Sequence, residues 1–151
     1  MKVIFLDMDG VLNCSDSEID KNTVWGIDPL LVSRLNRICE SVENLTVVLS
    51  SSWKYAVISK HIDINQLLEV QGYTGPQITE VTPSIDDVLL TRGMEIDAWL
   101  KAHDVEKFVI LDDDHGCEGM DHLLKNVVQP SFMEGGLQEE HVDKAIELLE
   151  S

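Results

Sequence analysis

Val3-Ile4-Phe5-Leu6-Asp7-Met8-Asp9-Gly10-Val11-Leu12 is the stretch on which the reading of this chain turns. Val3 to Leu6 is an unbroken apolar run, the pattern of a strand buried on both faces of a parallel sheet. The run stops at two carboxylates two residues apart, so both can face one crevice at the strand mouth. Gly10 then permits a tight turn and close approach of backbone. Two further apolar runs end in the same way. Leu45 to Leu49 breaks into Ser50-Ser51-Ser52-Trp53, and Phe108 to Leu111 breaks into Asp112-Asp113-Asp114.

Helical patterns lie between these runs. Asp28-Pro29 supplies a cap and a first-turn proline, and Leu31, Leu35, Ile38 and Val42 give the helix one apolar face. Asp63-Ile64-Asn65-Gln66 has the form of a capping box over Leu67, Leu68 and Val70. Thr91 caps a helix expected to run through His103, with Met94 or Ile96, Trp99 and Leu100 inward. Gly72 to Pro83 reads as loop or irregular strand, Glu118 to Lys125 as helix, Val127-Val128 as a short strand and Gln138 to Glu150 as an amphipathic terminal helix. Strands alternating with helices make an α/β protein: a three-layer, Rossmann-like parallel sheet with helices on both faces and right-handed crossovers. Residues 1–151 fit one domain, and the polar stretch 13–28 fits a small flap. Ligands of such sheets bind beyond the carboxyl ends of the strands, where Asp7, Ser50 and Asp112 would meet.

At that edge, one carboxylate of Asp7 and Asp9 can attack phosphorus while the other manages the proton of the leaving group. Read plainly, the pair is an acidic turn with Asp9-Gly10 at its corner. Ser50 can donate to a phosphoryl oxygen, or it can simply cap the next helix; Ser51 is able to share either role. Asp112, Asp113 and Asp114 repel one another, and Asp7 and Asp9 add to that repulsion. A divalent cation removes the conflict, and all-oxygen ligands without His or Cys suit Mg²⁺. A transferring phosphoryl group also needs a cationic partner. Arg92 is the first choice and Lys54 the second; the plain alternative for each is a helix-surface charge.

Together these residues resemble the haloacid dehalogenase-like superfamily of phosphohydrolases. Asp7 to Leu12 matches its first motif, Ser50 its second, Arg92 its third, and Asp112 with Asp113 its fourth. The resemblance implies that Asp7 forms an aspartyl-phosphate and that Asp9 protonates the leaving group and then activates water. It implies that Ser50 and Arg92 bind the phosphoryl oxygens. Mg²⁺ would be held by Asp7, the backbone carbonyl of Asp9, Asp112 and Asp113. The glycine that usually precedes a lone fourth-motif Asp is absent, so the acidic-pair variant is the one implied. Ser51-Ser52-Trp53-Lys54, Thr82-Pro83, Arg92-Gly93, Glu95-Ile96 and Trp99-Leu100 resemble a small capless branch, part of it linked to RNA repair. Capless members act on exposed substrates, so the expected partner is a phosphorylated small molecule or an exposed phosphorylated end.

Composition narrows the classes further. The 151 residues are 44% hydrophobic, enough for a packed core, and carry a net charge of −17. A field of that sign disfavours general nucleic-acid binding and anionic membranes. No run approaches membrane-spanning length, and Met1 to Asp7 is too short for a signal peptide. Cys14, Cys39 and Cys117 have no paired spacing, which suits reduced thiols and a cytoplasmic protein. The histidines fall on separate segments, with only His115 beside the acidic loop. Trp99 belongs in the core, and Trp25 and Trp53 are placed to wall a substrate pocket. Asp86 and Asp87 suit a turn or helix start. A non-catalytic phosphate- or metal-binding module is the main alternative, although binding alone has no use for Asp9. A phospho-acceptor receiver domain would place its acidic pair and acceptor in the reverse order.

Overall fold

The computed structural model describes residues 1–17, 26–84 and 91–151. In chain order the elements are β1 (Lys2–Leu6), α1 (Pro29–Ser41), β2 (Leu45–Leu49), α2 (Lys54–Ile58), α3 (Ile64–Val70), β3 (Glu80–Val81), α4 (Arg92–Lys101), β4 (Lys107–Leu111), α5 (Asp121–Leu124), β5 (Val127–Val128) and α6 (Glu139–Glu150). The strands form one all-parallel sheet in the order β3-β2-β1-β4-β5. Because β1 is central, its side chains are covered on both faces. Ile4 and Leu6 pack with α1, α3 and α6, whereas Val3 and Phe5 pack with α4 and α5. Phe5 meets Trp99 edge-on, with ring centroids 5.4 Å apart. Each fully buried side chain of this size contributes about 1.5–3 kcal/mol of burial free energy.

Local chemistry explains most element ends. The Asp28 carboxylate accepts from the Leu30 N–H at 2.9 Å, and Pro29 opens α1. At α3, Asp63 accepts from the N–H groups of Asn65 and Gln66, at 3.1 and 3.2 Å. Thr91 accepts from the Met94 N–H to begin α4. That helix stops at Lys101 rather than His103, because His103 turns its ring back to stack on Trp99 and binds the Trp99 carbonyl through Nδ1. Its inward face is Gly93, Ile96 and Trp99, and Met94 is exposed. The helix expected over Glu118 to Lys125 is cut to a single turn, since Gly119 has φ +79°. The loop from Gly72 to Pro83 contains β3, held by only two registered pairs with β2.

One plain alternative does not hold. Lys54, read in its plainer form as a surface charge, is buried. Its ammonium meets Glu95 Oε2 at 2.7 Å, the Pro83 carbonyl at 3.2 Å and Thr82 Oγ1 at 3.4 Å. Helical periodicity cannot foresee this, because the partners come from α4 and from the residues after β3. The proposed flap over 13–28 is described only at its ends. Trp25, Asp86 and Asp87 lie outside the described residues.

Candidate active site

Register delivers the acidic groups to one place. Leu6 pairs with Leu49 on one side and Leu111 on the other, so the next residues, Asp7, Ser50 and Asp112, lie abreast. Backbone bonds carry the ladder one step further: Ser50 N donates to Leu6 O at 2.8 Å, and Asp7 N to Leu111 O at 3.0 Å. Asp7 and Asp112 are buried and Asp113 is half-buried. One ligand oxygen from each of the three falls within 4.8 Å of the others. Gly10 makes this possible. It has φ +82°, and a Cβ there would stand 2.1 Å from Asp113 Oδ2.

Arg92, the first residue of α4, lies against this cluster. Its Nη1 donates to Asp112 Oδ2 at 2.8 Å and lies 3.3 Å from Asp7 Oδ2. Asp112 Oδ1 also accepts from the Asp114 N–H at 2.8 Å. Burial, then the neighbouring Asp112, push Asp7 up to about 9, with Arg92 opposing them. Burial also raises Asp113, against a hydrogen bond to Asp7. Burial disfavours the Arg92 guanidinium, but Asp112 and Asp7 outweigh it and hold the proton more firmly than usual. Among the described residues three carboxylates therefore share one cation, Arg92, which leaves the cluster under-neutralised. The donor set is all oxygen, which fits a hard divalent cation and would bring the raised carboxylates down.

Asp9 is exposed and is not one of the three clustered carboxylates. Its Oδ1 accepts from Asn13 Nδ2 at 2.9 Å and its Oδ2 from Trp53 Nε1 at 3.1 Å. Asn13 also accepts from Gly10 N at 2.9 Å, so one side chain ties the turn and the carboxylate together. Ser50 Oγ is buried and has no hydrogen-bond partner among the described residues. A hydroxyl in that condition costs free energy until something bonds it. Ser51 Oγ instead accepts from Trp53 N at 3.2 Å and shapes the turn into α2. Lys54 is engaged with Glu95, Thr82 and Pro83, as described above.

A family model described as the HAD domain in Swiss Army Knife RNA repair proteins matches residues 3–142. The chain belongs to this family. It is thereby a member of the HAD superfamily, which is of phosphohydrolase type, and its sheet has the α/β form of that fold. No curated protein and no solved structure matches it.

Within this HAD domain, the site gathers Asp7, Asp112, Asp113 and Arg92, with Ser50 abreast of Asp7 just past the end of β2. Asp9 is brought to the rim, and Lys54 to a separate ion pair. Sequence reasoning missed the clamp of Asn13 and Trp53 on Asp9. The spacing of Asn13, four residues beyond Asp9, was the one available signal. His115 is drawn inward as a turn element, its Nδ1 accepting from Cys117 N at 2.9 Å. Among the described residues no helix is long and apolar enough to cross a membrane.

Proposed function

We propose that this HAD domain hydrolyses phosphomonoesters with Mg²⁺, through an aspartyl-phosphate on Asp7. The observation that carries the reading is the under-neutralised cluster of Asp7, Asp112 and Asp113 beside Arg92. Asp7, Asp112 and Asp113 are the side chains that would hold Mg²⁺. The ion would supply charge neutralisation for the phosphoryl oxygens.

Asp7 attacks phosphorus, forming an acyl–phosphate bond as the bond to the leaving oxygen breaks. Asp9, held by Trp53 and Asn13, gives its proton to that oxygen. It then takes a proton from water, which attacks phosphorus and releases phosphate and free Asp7. Arg92 balances charge that spreads over the phosphoryl oxygens. The unpartnered Ser50 hydroxyl is supplied with an acceptor when a phosphoryl oxygen arrives. The family description, naming RNA repair, favours a phosphorylated polynucleotide end over a free metabolite.

The test is hydrolysis of an aryl phosphate with Mg²⁺, with EDTA, and by Asp7→Asn. Turnover that requires Mg²⁺ and disappears in the folded variant is expected. Undiminished turnover in Asp7→Asn would overturn the nucleophile. Mg²⁺ or phosphate binding without turnover on any phosphomonoester would favour a regulatory module.

A further inference from the structure

A cavity of about 350 Å³ opens beside the acidic cluster, lined by Asp113, Gln129, Pro130, Ser131, Phe132 and Met133. Its size falls at the lower end of small-molecule sites, which span about 300–1,000 Å³. Asp113 belongs both to this cavity and to the cluster at Asp7, so the two adjoin at that residue. The opposite wall is apolar and open: Phe132 is 41% exposed and Met133 74%.

These side chains stand on a braced turn. Gly136 N and Glu134 N both donate to Ser131 O, at 2.8 and 3.1 Å, and Ser15 N donates to Phe132 O at 2.9 Å. Gly136, at φ +67°, packs so closely that a Cβ would meet Leu31 Cδ1 at 2.7 Å. Gln129 Nε2 donates to the Asp113 carbonyl at 2.9 Å, fixing the cavity wall to the acidic strand end. An aromatic ring and a polarisable thioether are thus held ready at the edge of a phosphate-handling site.

We propose that this cavity is a nucleobase subsite. It takes the terminal base of a phosphorylated nucleotide or polynucleotide end, stacked on Phe132 and flanked by Met133, while the phosphate lies at Asp7. The inference rests on the hydrolase reading above and names its substrate class. Charge favours this occupant. Among the described residues the lining has no Lys or Arg, and a net charge of −17 disfavours following a phosphate backbone. Stacking on an aromatic face needs no charge and tolerates any base. Binding through one base and one phosphate therefore reconciles an acidic protein with a nucleic-acid end. It also makes affinity only weakly dependent on salt.

The test uses full-length Asp9→Asn protein with Mg²⁺, in which the acid step is blocked and the carboxylate cluster is intact. Titration calorimetry compares ribose 5-phosphate, adenosine 3′-monophosphate and a 3′-phosphorylated oligonucleotide, each with and without Phe132→Ala. The base-bearing ligands should bind about tenfold or more tightly than the sugar phosphate. Phe132→Ala should erase that preference without changing ribose phosphate binding, and Phe132→Tyr should keep it. Equal affinity for all three ligands, binding of none, or a base preference that survives in Phe132→Ala would overturn the proposal. So would a change in sedimentation without loss of base preference, which would make Phe132 a protein contact. If Phe132→Ala loses its circular dichroism spectrum, Met133→Ser and Phe132→Leu take its place. Similar affinity for mononucleotide and oligonucleotide, or tighter oligonucleotide binding, supports the shared chemistry and identifies the source. Wild-type hydrolysis is scored separately: base-dependent binding without turnover sinks the catalytic reading alone, and turnover without base preference sinks the subsite alone.

Discussion

Two charge clusters flank the carboxyl ends of β1 and β2, and they are built on opposite terms. Around Lys54 one ammonium meets one carboxylate, with the Pro83 carbonyl and the Thr82 hydroxyl completing its bonds. Around Arg92 one guanidinium faces Asp7 and Asp112, with Asp113 adding a third acid. The first cluster is closed and balanced, and it joins the start of α2 to α4 and to the residues after β3. The second carries surplus negative charge, holds Asp7 far above its ordinary range, and stands beside an unpartnered Ser50 hydroxyl. The balanced pair is architecture; the unbalanced cluster is the one on which the proposed chemistry rests.

Arg92→Ala gives the largest expected separation of the two. It should lower kcat/KM for an aryl phosphate by about 10²–10³-fold, the worth of one preorganised charge in a transition state. Steady-state kinetics would show it, and wild-type rates would move the phosphate-binding role elsewhere. Lys54→Met should act on stability instead. Leaving the half-buried Glu95 without its cation should cost about 1–3 kcal/mol. Chemical denaturation would measure this, and Lys54→Met with Glu95→Leu should recover much of the loss. An unchanged midpoint in the single variant would show that Lys54 is not the anchor described.

Smaller changes sharpen the same contrast. Trp53→Phe keeps the ring but removes the indole N–H that orients Asp9. It should reduce kcat several-fold with KM unchanged; a change in KM alone would assign Trp53 to substrate contact. The smallest effect concerns His141, a closed interaction far from surplus charge. Its Nδ1 accepts from Gln138 N at 2.8 Å at the start of α6. Burial holds it below its ordinary 6.5, helped by Arg34 and opposed by Glu140. The folded state therefore binds the proton less readily than the unfolded one. Stability is present above pH 6.5 and falls as pH drops through the lowered folded value. Melting between pH 7.5 and 5 should show wild type losing about 0.5–1 kcal/mol relative to His141→Gln, a cap that does not titrate. Parallel pH slopes would remove His141 from the account.

The three long strands and α1 could be read from the chain because their signals are local. An apolar run buried on both faces needs no knowledge of its neighbours, and Asp28-Pro29 states the start of α1 in two residues. Element ends were harder. His103 folds back on Trp99, and Gly119 breaks α5, by geometry that periodicity does not encode. β3 has two residues and no hydrophobic run of its own; only pairing with β2 makes it a strand.

What the sequence alone determined is the order of the parts: three apolar runs, each ending in residues able to handle a phosphate, separated by helices that require parallel crossovers. What only the tertiary structure decided is how those parts divide the work. Asp7, Asp112 and Asp113 converge through strand register, Asp9 is turned to Trp53 and Asn13, and Lys54 is withdrawn into its pair with Glu95. The reason is physical. Burial and patterning act along the chain, but the balance of charge around any one group is set by residues far away in it, which only the packed fold brings within reach.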